Sequence, residues 1–167
     1  MRTTMKSGVY SSVCRHGYAI AAAVAVLVCG VSAYFLFFKP QIPECTAVER
    51  FVNQYEGKML ERTLLISVVP DGVRHATILF NGSVFYDGKR YIIERSMGVD
   101  YRKWGGNYEF QVRENIRKPQ DTLQDEALNR SLPIEGQTIH LRIERMDARH
   151  YLFVDNHAPY YVCVTSS

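Results

Sequence analysis

The sequence has almost no excess charge of either sign once its first sixteen residues are set aside. The whole chain of 167 residues carries 20 Lys and Arg against 17 Asp and Glu. Arg2, Lys6 and Arg15 precede the first apolar run, so the remaining 17 basic residues balance 17 acidic ones. Proteins that bind nucleic acid through its phosphates usually show a clustered basic face. We therefore expect no direct nucleic-acid binding.

The sequence also lacks the motifs that carry common chemistry. It has no Gly-rich phosphate loop, no Gly-x-Ser-x-Gly elbow, no His-Glu-x-x-His and no Cys-x-x-Cys. The histidines after residue 39 do not have metal-ligand spacing, namely His75, His140, His150 and His157. We predict no catalytic residue, no cofactor and no metal, and we expect a protein that is not an enzyme.

One stretch, residues 17–38, contains no charged side chain for 22 residues. As a helix it would extend about 33 Å, enough to cross a hydrocarbon core of roughly 30 Å. We predict a transmembrane helix here, preceded by a cytoplasmic basic tail at residues 1–16. A cleaved signal peptide is the alternative, with Val31-Ser32-Ala33 as its cleavage site. The apolar run continues to Phe38, which favours a retained anchor.

The flanking charges predict the orientation of this helix. Three Lys or Arg residues precede it, and Lys39 and Arg50 follow within a comparable distance. The positive-inside rule then places the N-terminus in the cytosol and the C-terminal domain outside, in the periplasm of a bacterial inner-membrane protein.

The cysteines fit the same orientation. Cys14 would be cytosolic and Cys29 would lie within the membrane, which leaves Cys45 and Cys163 at the two ends of the exported domain. An exported compartment permits a disulfide between them, worth roughly 4–5 kcal/mol for so long a loop. The alternatives are two unpaired buried thiols, or His150 and Cys163 as a base and nucleophile.

Residues 39–61 are predicted to form a juxtamembrane linker and a short amphipathic helix. Thr46-Ala47-Val48-Glu49 has the form of a helix capping box, and apolar residues then follow at helical spacing. From residue 62 the period changes to two, which predicts a β-rich domain over residues 62–167. The strand candidates are Thr63–Val69, Thr77–Tyr86, Arg90–Arg102, Tyr108–Ile116, Thr138–Met146, Tyr151–Asp155 and Tyr160–Val164. A second short helix is predicted at Thr122–Leu132, and Asn81-Gly82 is interpreted as a bulge or a turn.

The strand pattern predicts a small antiparallel barrel or sandwich built of local hairpins. In one hairpin, a four-residue loop at Lys103–Gly106 would set Tyr101 opposite Tyr108 and keep the apolar residues on one face. The same register sets Arg95 opposite Glu114, and we predict an inward ion pair that fixes the strands rather than a ligand site. A second hairpin should place Ile143 opposite Phe153.

Several short segments together resemble a known family. They are Gly-Ser-Val-Phe-Tyr at 82–86, Tyr-Ile-Ile-Glu-Arg at 91–95, Tyr-Arg at 101–102 and Pro-Tyr-Tyr-Val-Cys at 159–163. With the basic tail, the anchor and the Cys that follows it, the chain from 10 to 164 resembles the FidL-like family of enterobacterial inner-membrane proteins. That family is similar in layout to the ToxS type.

The resemblance implies a function. Such proteins accompany ToxR-like membrane-bound transcription activators and modulate them through the periplasmic domain. Some distant relatives form a lipocalin-like barrel that senses bile salts. We therefore expect an accessory protein of a ToxR-like regulator. The terminal strand, with Tyr160, Tyr161 and Val162, is our candidate for an edge that pairs with the partner. The alternatives are a sensor that binds an amphipathic small molecule such as a bile salt, or an envelope assembly factor.

Overall fold

The structure is a computed structural model that describes residues 7–37, 42–55, 57–155 and 158–166. The chain divides into two compact units, Met1–Lys39 and Pro40–Ser167. The first unit contains helix α1 (Ser7–Phe37). In its described residues, the second unit contains one short helix and eight strands: β1 (Cys45–Tyr55), β2 (Lys58–Pro70), β3 (His75–Tyr86), β4 (Lys89–Trp104), β5 (Asn107–Arg117), α2 (Glu126–Asn129), β6 (Thr138–Arg145), β7 (His150–Val154) and β8 (Pro159–Val164).

Helix α1 contains the predicted apolar segment and begins earlier than expected. Its stretch Gly17–Phe35 has a mean hydropathy of 2.1 and is long enough to cross a membrane. A signal sequence near an N-terminus can also meet these criteria of length and hydropathy. Residues 7–16, which were predicted to be a tail, are helical, while residues 1–6 and Phe38 lie outside the described residues.

The eight strands form one closed antiparallel barrel in which each strand pairs with its neighbours in sequence and β8 joins β1. This decides between the two predicted architectures in favour of the barrel. Because the sheet closes on itself, each strand has a neighbour on both sides. The predicted pairing of Ile143 with Phe153 is confirmed.

The predicted amphipathic helix within residues 39–61 is wrong, because Cys45–Tyr55 is a strand. Strand β1 pairs with β2 over eleven residue pairs, from Cys45↔Val68 to Tyr55↔Lys58. Burial along it alternates, with Cys45 and Ala47 buried while Thr46 and Val48 are exposed. Pairing with β2 along its whole length outweighs the local helical spacing. The barrel therefore includes β1 and does not begin at residue 62.

The β4–β5 register differs from the predicted one in two ways. Trp104 pairs with Asn107, so the turn is the two-residue Gly105-Gly106 rather than a four-residue loop. Each β4 residue from 99 to 104 therefore faces the β5 residue two positions further along than predicted. Because the shift is an even number of residues, the apolar side chains stay on the inner face. A one-residue bulge between Gly98 and Val99 then alters the pairing further along, where Glu114 lies opposite Gly98.

The predicted pair of Arg95 with Glu114 is therefore wrong. Beyond the bulge, Arg95 lies opposite Arg117, and its guanidinium forms an ion pair with Asp121 in which Nε lies 2.7 Å from Oδ2. Arg95 is 5% exposed, so the predicted inward direction of its side chain is correct. The extra residue of the bulge turns Glu114 to the exposed face, which is why it cannot be the partner.

Two strands that are far apart in sequence close the barrel at a narrow seam. Cys45 of β1 and Cys163 of β8 form the predicted disulfide, with Cα atoms 5.5 Å apart and a sequence separation of 118. Beside it, the described β1–β8 ladder consists of Thr46↔Val164. The disulfide thus covalently joins the seam where backbone pairing is shortest.

The barrel interior holds two clusters of buried residues. The first surrounds the disulfide and the aromatic residues of the β4–β5 hairpin, Tyr101, Tyr108 and Phe110. The second includes residues of the segment 118–137, which connects β5 to β6; we call this segment the plug. Leu123, Leu128 and Leu132 of the plug pack against side chains of β2, β3 and β4, namely Leu60, Leu64, Ile66, Val84 and Ile93.

The plug contains the second predicted helix in a shorter form. Helix α2 covers Glu126–Asn129, and the Asp125 side chain caps it by accepting hydrogen bonds from the backbone N–H groups of Ala127 and Leu128. The predicted segment was Thr122–Leu132, and its residues outside α2 are turn and irregular backbone.

Asn81-Gly82 is neither a turn nor a bulge, because β3 passes through it with regular pairing on both sides. Gly82 is needed there for space. A Cβ atom at this position would lie 2.0 Å from the Thr63 carbonyl oxygen of β2. Glycine in a strand commonly marks such a close approach of a neighbouring backbone.

Candidate functional site

A cavity of about 330 Å³, open to solvent on one side, lies among inward-facing side chains of the barrel and residues of the plug. Ile78, Phe80 and Tyr161 line it and also pack against both clusters. The cavity therefore borders both clusters of buried residues.

Most of the cavity wall is apolar. The apolar lining comes from strands β2, β3, β4 and β6 and from the plug: Leu64, Ile66, Ile78, Phe80, Met97, Leu132, Pro133, Ile139 and Leu141. The polar lining consists of Glu49, Arg62, Arg130, Ser131, Gln137, Tyr160 and Tyr161. An apolar space with a few polar groups is the usual composition of a small-molecule site.

Arg62 is the central polar group of this lining. Its Nη2 donates to Glu49 Oε1 at 2.8 Å, and the two side chains are only 13% and 17% exposed. Its Nη1 lies 3.3 Å from both the backbone oxygen and the hydroxyl of Ser131 in the plug. The guanidinium also lies over the Phe51 ring, 5.3 Å from its centroid. These contacts fix the position and the plane of the guanidinium.

One donor of Arg62 is not satisfied by these contacts. Its Nε is buried and has no hydrogen-bond partner among the residues that the structure describes. A buried donor without an acceptor costs about 1–3 kcal/mol. The Glu49 and Ser131 contacts of Arg62 therefore leave one buried N–H group unsatisfied.

Two tyrosines of β8 form another part of the lining. Burial raises the pKa of Tyr161 above its usual range, and the negative charge of Glu49 raises it further. Burial, together with Asp155 and Glu49, also raises the pKa of Tyr160. Both phenols are therefore neutral at ordinary pH. The Tyr161 ring stacks on Phe153 with centroids 4.9 Å apart.

Asp121 holds the plug in place at the far end of the cavity. Its buried carboxylate accepts hydrogen bonds from Arg95 Nε at 2.7 Å and Arg117 Nη2 at 3.0 Å. It also accepts from the backbone N–H groups of Glu94 and Leu123. Burial raises the pKa of Asp121, but the hydrogen bonds from Arg95 and Arg117 lower it by more, so the net shift is downward. This arrangement positions Arg130–Pro133, the plug residues that reach the cavity.

Tyr160, Tyr161 and Val162, which were predicted to form a sheet edge for a partner, lie in a paired strand of the barrel. Strand β8 pairs with β7 through Tyr161↔Phe153 and Val162↔Leu152 and joins β1 at the seam, so the prediction of an unpaired terminal strand is wrong. Tyr160 and Tyr161 line the cavity instead. The physical reason is closure, because β1 supplies the strand that a sheet beginning at residue 62 would lack.

Other polar groups form pairs on the barrel surface. Asp100 binds both Arg113 and His75, and Asp147 binds the His150 side chain and two backbone N–H groups. Cys163 is in the disulfide and so is not a nucleophile for His150. Across the described ranges, no three His, Cys, Asp or Glu side chains come together as a metal site.

Sequence reasoning missed Glu49, Arg62 and Asp121. Arg62 had a usable signal, since it interrupts the inward-facing series formed by Leu60, Leu64, Ile66 and Val68. Glu49 has the same phase as the buried Cys45 and Ala47, but this phase is visible only when β1 is read as a strand. Asp121 gave no periodic signal because it lies in irregular backbone.

Comparison with known proteins does not supply a family. No family model matches this sequence, and a search of curated proteins finds no match. The assignment of a function therefore depends on the geometry of the barrel and its cavity.

Proposed function

We propose that this protein is an anchored binding barrel whose cavity takes a small amphipathic molecule, with a bile salt as the first example to test. The observation that carries the proposal is the cavity of about 330 Å³ with apolar walls and a few polar groups. Ligand sites usually have volumes of roughly 300–1,000 Å³ and this mixed composition. An amphipathic ligand would place its apolar body against the strands and its polar end near Arg62.

The proposal includes a location in a bacterial inner membrane, with the N-terminus in the cytoplasm and the barrel in the periplasm. The apolar helix, the basic residues before it and a buried disulfide in the barrel support this location, because disulfides persist in exported compartments. Alkaline phosphatase fused after Ser167 should be active in cells, since it needs an oxidising compartment. Inactive but intact fusion protein would contradict the orientation.

Ligand binding can be tested on the full chain in lipid nanodiscs by the ¹³C signal of methionine methyl groups. Met97 lines the cavity, whereas Met59 and Met146 are exposed on the barrel surface. Titration with a bile salt, below the concentration that disturbs the lipid, should shift the Met97 signal in a saturable way. The signals of Met59 and Met146 then report any general effect of the amphiphile.

Filling the cavity provides the decisive variant. Leu141→Trp adds a large ring to the cavity lining and should abolish the saturable Met97 shift. Leu65→Trp makes the same substitution on an exposed outer position of β2 and should leave the shift in place. Equal responses in the two variants, or equal shifts of all three methionines, would reject binding inside the barrel.

A second function, accessory subunit of a ToxR-like membrane regulator, is favoured by the outer surface beside the seam. The exposed apolar side chains there belong to the two strands that meet: Val48, Val52, Val162 and Val164. Exposed apolar patches on soluble domains often mark protein contacts. A membrane anchor would confine both partners to one plane, so modest contacts would suffice.

Crosslinking in native membranes tests the accessory function. We expect a membrane-bound transcription activator with a cytosolic winged-helix domain to co-purify with the full chain. Val48→Glu at the seam should reduce the yield of that activator, and Ile134→Glu, at an exposed position of the plug, should not. Recovery of no such activator, or equal losses in both variants, would count against this function.

A further inference from the structure

Resting on the proposal that α1 is a retained membrane anchor, we propose that the tip of the β4–β5 hairpin, with Trp104, docks in the lipid head-group region of the membrane that holds α1. Trp104 is the only tryptophan of the chain and is 70% exposed. A single exposed apolar side chain is common on protein surfaces. The position of this one in the barrel, the residues beside it and the short chain before the barrel together point to lipid as its neighbour.

The hairpin tip lies at the end of the barrel where the chain enters. Cys45 begins β1, and its partner Val68 lies near the end of β2. Because successive strands run antiparallel, the β2–β3, β4–β5 and β6–β7 turns lie at this same end. Trp104 is the last residue of β4 and directly precedes the Gly105-Gly106 turn. The exposed tryptophan is therefore at the end of the barrel that follows α1 in the sequence.

Only a short stretch of chain separates this end of the barrel from α1. Helix α1 ends at Phe37, and Ile42 is already buried, at 4% exposure, in the core cluster that contains the disulfide. The five residue steps between them extend over at most about 18 Å, whatever their conformation. A bilayer that holds α1 therefore keeps the Cys45 end of the barrel near its head groups.

The residues around Trp104 suit a lipid interface. Arg102 and Lys103 precede it, these side chains are exposed, and residues 101–108 include no acidic residue. Tryptophan is enriched where a membrane meets water, because its ring is apolar and its N–H group is polar. Lys and Arg can bury their apolar stems beside it while their charges reach the lipid phosphates.

A second turn at the same end has a similar composition. Met146 is 61% exposed in the β6–β7 turn, with Arg145 before it and Arg149 after it. At the opposite end of the barrel, the β3–β4 turn is Asp87-Gly88, which contains an acidic residue and no apolar side chain. The end that follows α1 thus carries exposed apolar side chains next to cations.

The fluorescence of Trp104 tests the proposal without a label, because the chain has no other tryptophan. The full chain is reconstituted in vesicles of phosphatidylethanolamine and phosphatidylglycerol. Part of the lipid is replaced by a phospholipid brominated on the upper part of one acyl chain, since bromine quenches tryptophan on contact. We expect a progressive loss of emission as the brominated fraction rises. Emission that does not respond to brominated lipid would overturn the proposal.

Moving the tryptophan to the other end of the barrel gives the matched control. Trp104→Phe combined with Met59→Trp places the single tryptophan beside the β1–β2 turn, where Met59 is 63% exposed. Brominated lipid should quench this variant much less than the wild type. Equal quenching of the two proteins would show that the Trp104 end is not the end that meets the membrane.

The cations of the tip can be tested in the same vesicles. Lys103→Glu should lower the ratio of docked to free tips about fivefold or more when phosphatidylglycerol is present, because it reverses a charge near an anionic surface. Lys89→Glu makes the same change at an exposed position at the other end of the barrel and should leave the quenching of Trp104 unchanged. Equal effects of the two variants would contradict a docked tip.

Washing the vesicles with alkaline carbonate separates failure of the tip from failure of the anchor. A chain that stays in the membrane while Trp104 is not quenched has an anchor but no docked tip. A chain that the wash removes has no membrane anchor, so the proposed location fails and the docking of Trp104 fails with it.

Discussion

Replacing Asp121 with Asn tests whether one buried carboxylate holds the plug in the barrel. The Asp121 side chain is completely buried, and Arg95, its main partner, is 5% exposed. Asn has the same shape but no charge, and its amide nitrogen would face donors. The amide oxygen of Asn can still accept from Arg95, and Asn129 Oδ1 accepts from it at 2.6 Å, but neither acceptor carries the negative charge that compensates the guanidinium.

The magnitude follows from the burial of Arg95. Removing one partner of a buried ion pair typically costs about 3–5 kcal/mol, because the other charge stays buried without compensation. The Arg117 contact adds little, since the Arg117 side chain is 43% exposed and water can replace the lost carboxylate. We therefore expect the free energy of unfolding to fall by about 3–5 kcal/mol.

Urea unfolding of the full chain in nanodiscs, followed by the β-sheet signal in circular dichroism, measures this loss. Asp87→Asn is the matched control, because Asp87 forms an exposed pair with Lys58 at the same distance of 2.7 Å. An exposed pair contributes about 0–1 kcal/mol. Hydrogen exchange should also show faster exchange at Leu123 and Leu128 in Asp121→Asn, since these residues hold the plug against the core.

The reasoning would be refuted if Asp121→Asn and Asp87→Asn lowered the free energy of unfolding by similar amounts. A double-mutant cycle sharpens the test. Arg95→Met in the Asp121→Asn background removes the uncompensated charge, so the double variant should be more stable than the sum of the single losses predicts. Additive losses would show that the two residues act independently.

Three further predictions concern the seam, β3 and the surface. Cys45→Ser with Cys163→Ser should lower the free energy of barrel unfolding by about 4–5 kcal/mol under oxidising conditions, whereas Cys29→Ser should not change it. Gly82→Ala should cost about 1–3 kcal/mol or more in the same urea assay, and Gly106→Ala, with open space around it, less than about 0.5 kcal/mol. Hydrogen bonds from the Arg149 backbone and from His150 lower the pKa of Asp147 to about 2, so its contribution to stability should be present above about pH 4 and be lost as the pH falls towards 2. A carboxyl NMR titration with a midpoint near 4 would contradict that value.

Alternation of apolar and polar residues predicts most of the barrel. Strands β2 to β8 lie where period-two patterns and turn dipeptides place them, because one face of each strand is buried. The same rule explains why a wrong loop length at Lys103–Gly106 still assigned Tyr101 and Tyr108 correctly to the core. An error of two residues in register preserves the faces. The one-residue bulge between Gly98 and Val99 does not, and it misplaced Glu114, although a glycine inside a strand pattern is a local signal for such a bulge.

The failure at β1 has a different cause. Thr46-Ala47-Val48-Glu49 satisfies the local rule for a helix start, but the sheet needs an eighth strand between β2 and β8 to close. Closure is a property of the whole domain and cannot be obtained from a window of ten residues. Because Glu49 depends on β1 for its inward direction, the error also concealed half of the Glu49–Arg62 pair in the cavity.

The cavity and the plug are physically connected through Arg62. Its Nη1 contacts Ser131 of the plug, and the same side chain is part of the cavity lining. The plug is held at its other end by Asp121. A ligand that binds Arg62 contacts a side chain that already contacts the plug. It can stabilise or loosen the plug only if it binds the tight and the loosened arrangements of the plug with different affinities. A ligand in the cavity would meet the plug both through Arg62 and through Arg130–Pro133, the plug residues in the lining, which makes hydrogen exchange in residues 118–137 the most direct measure of whether binding is transmitted beyond the cavity.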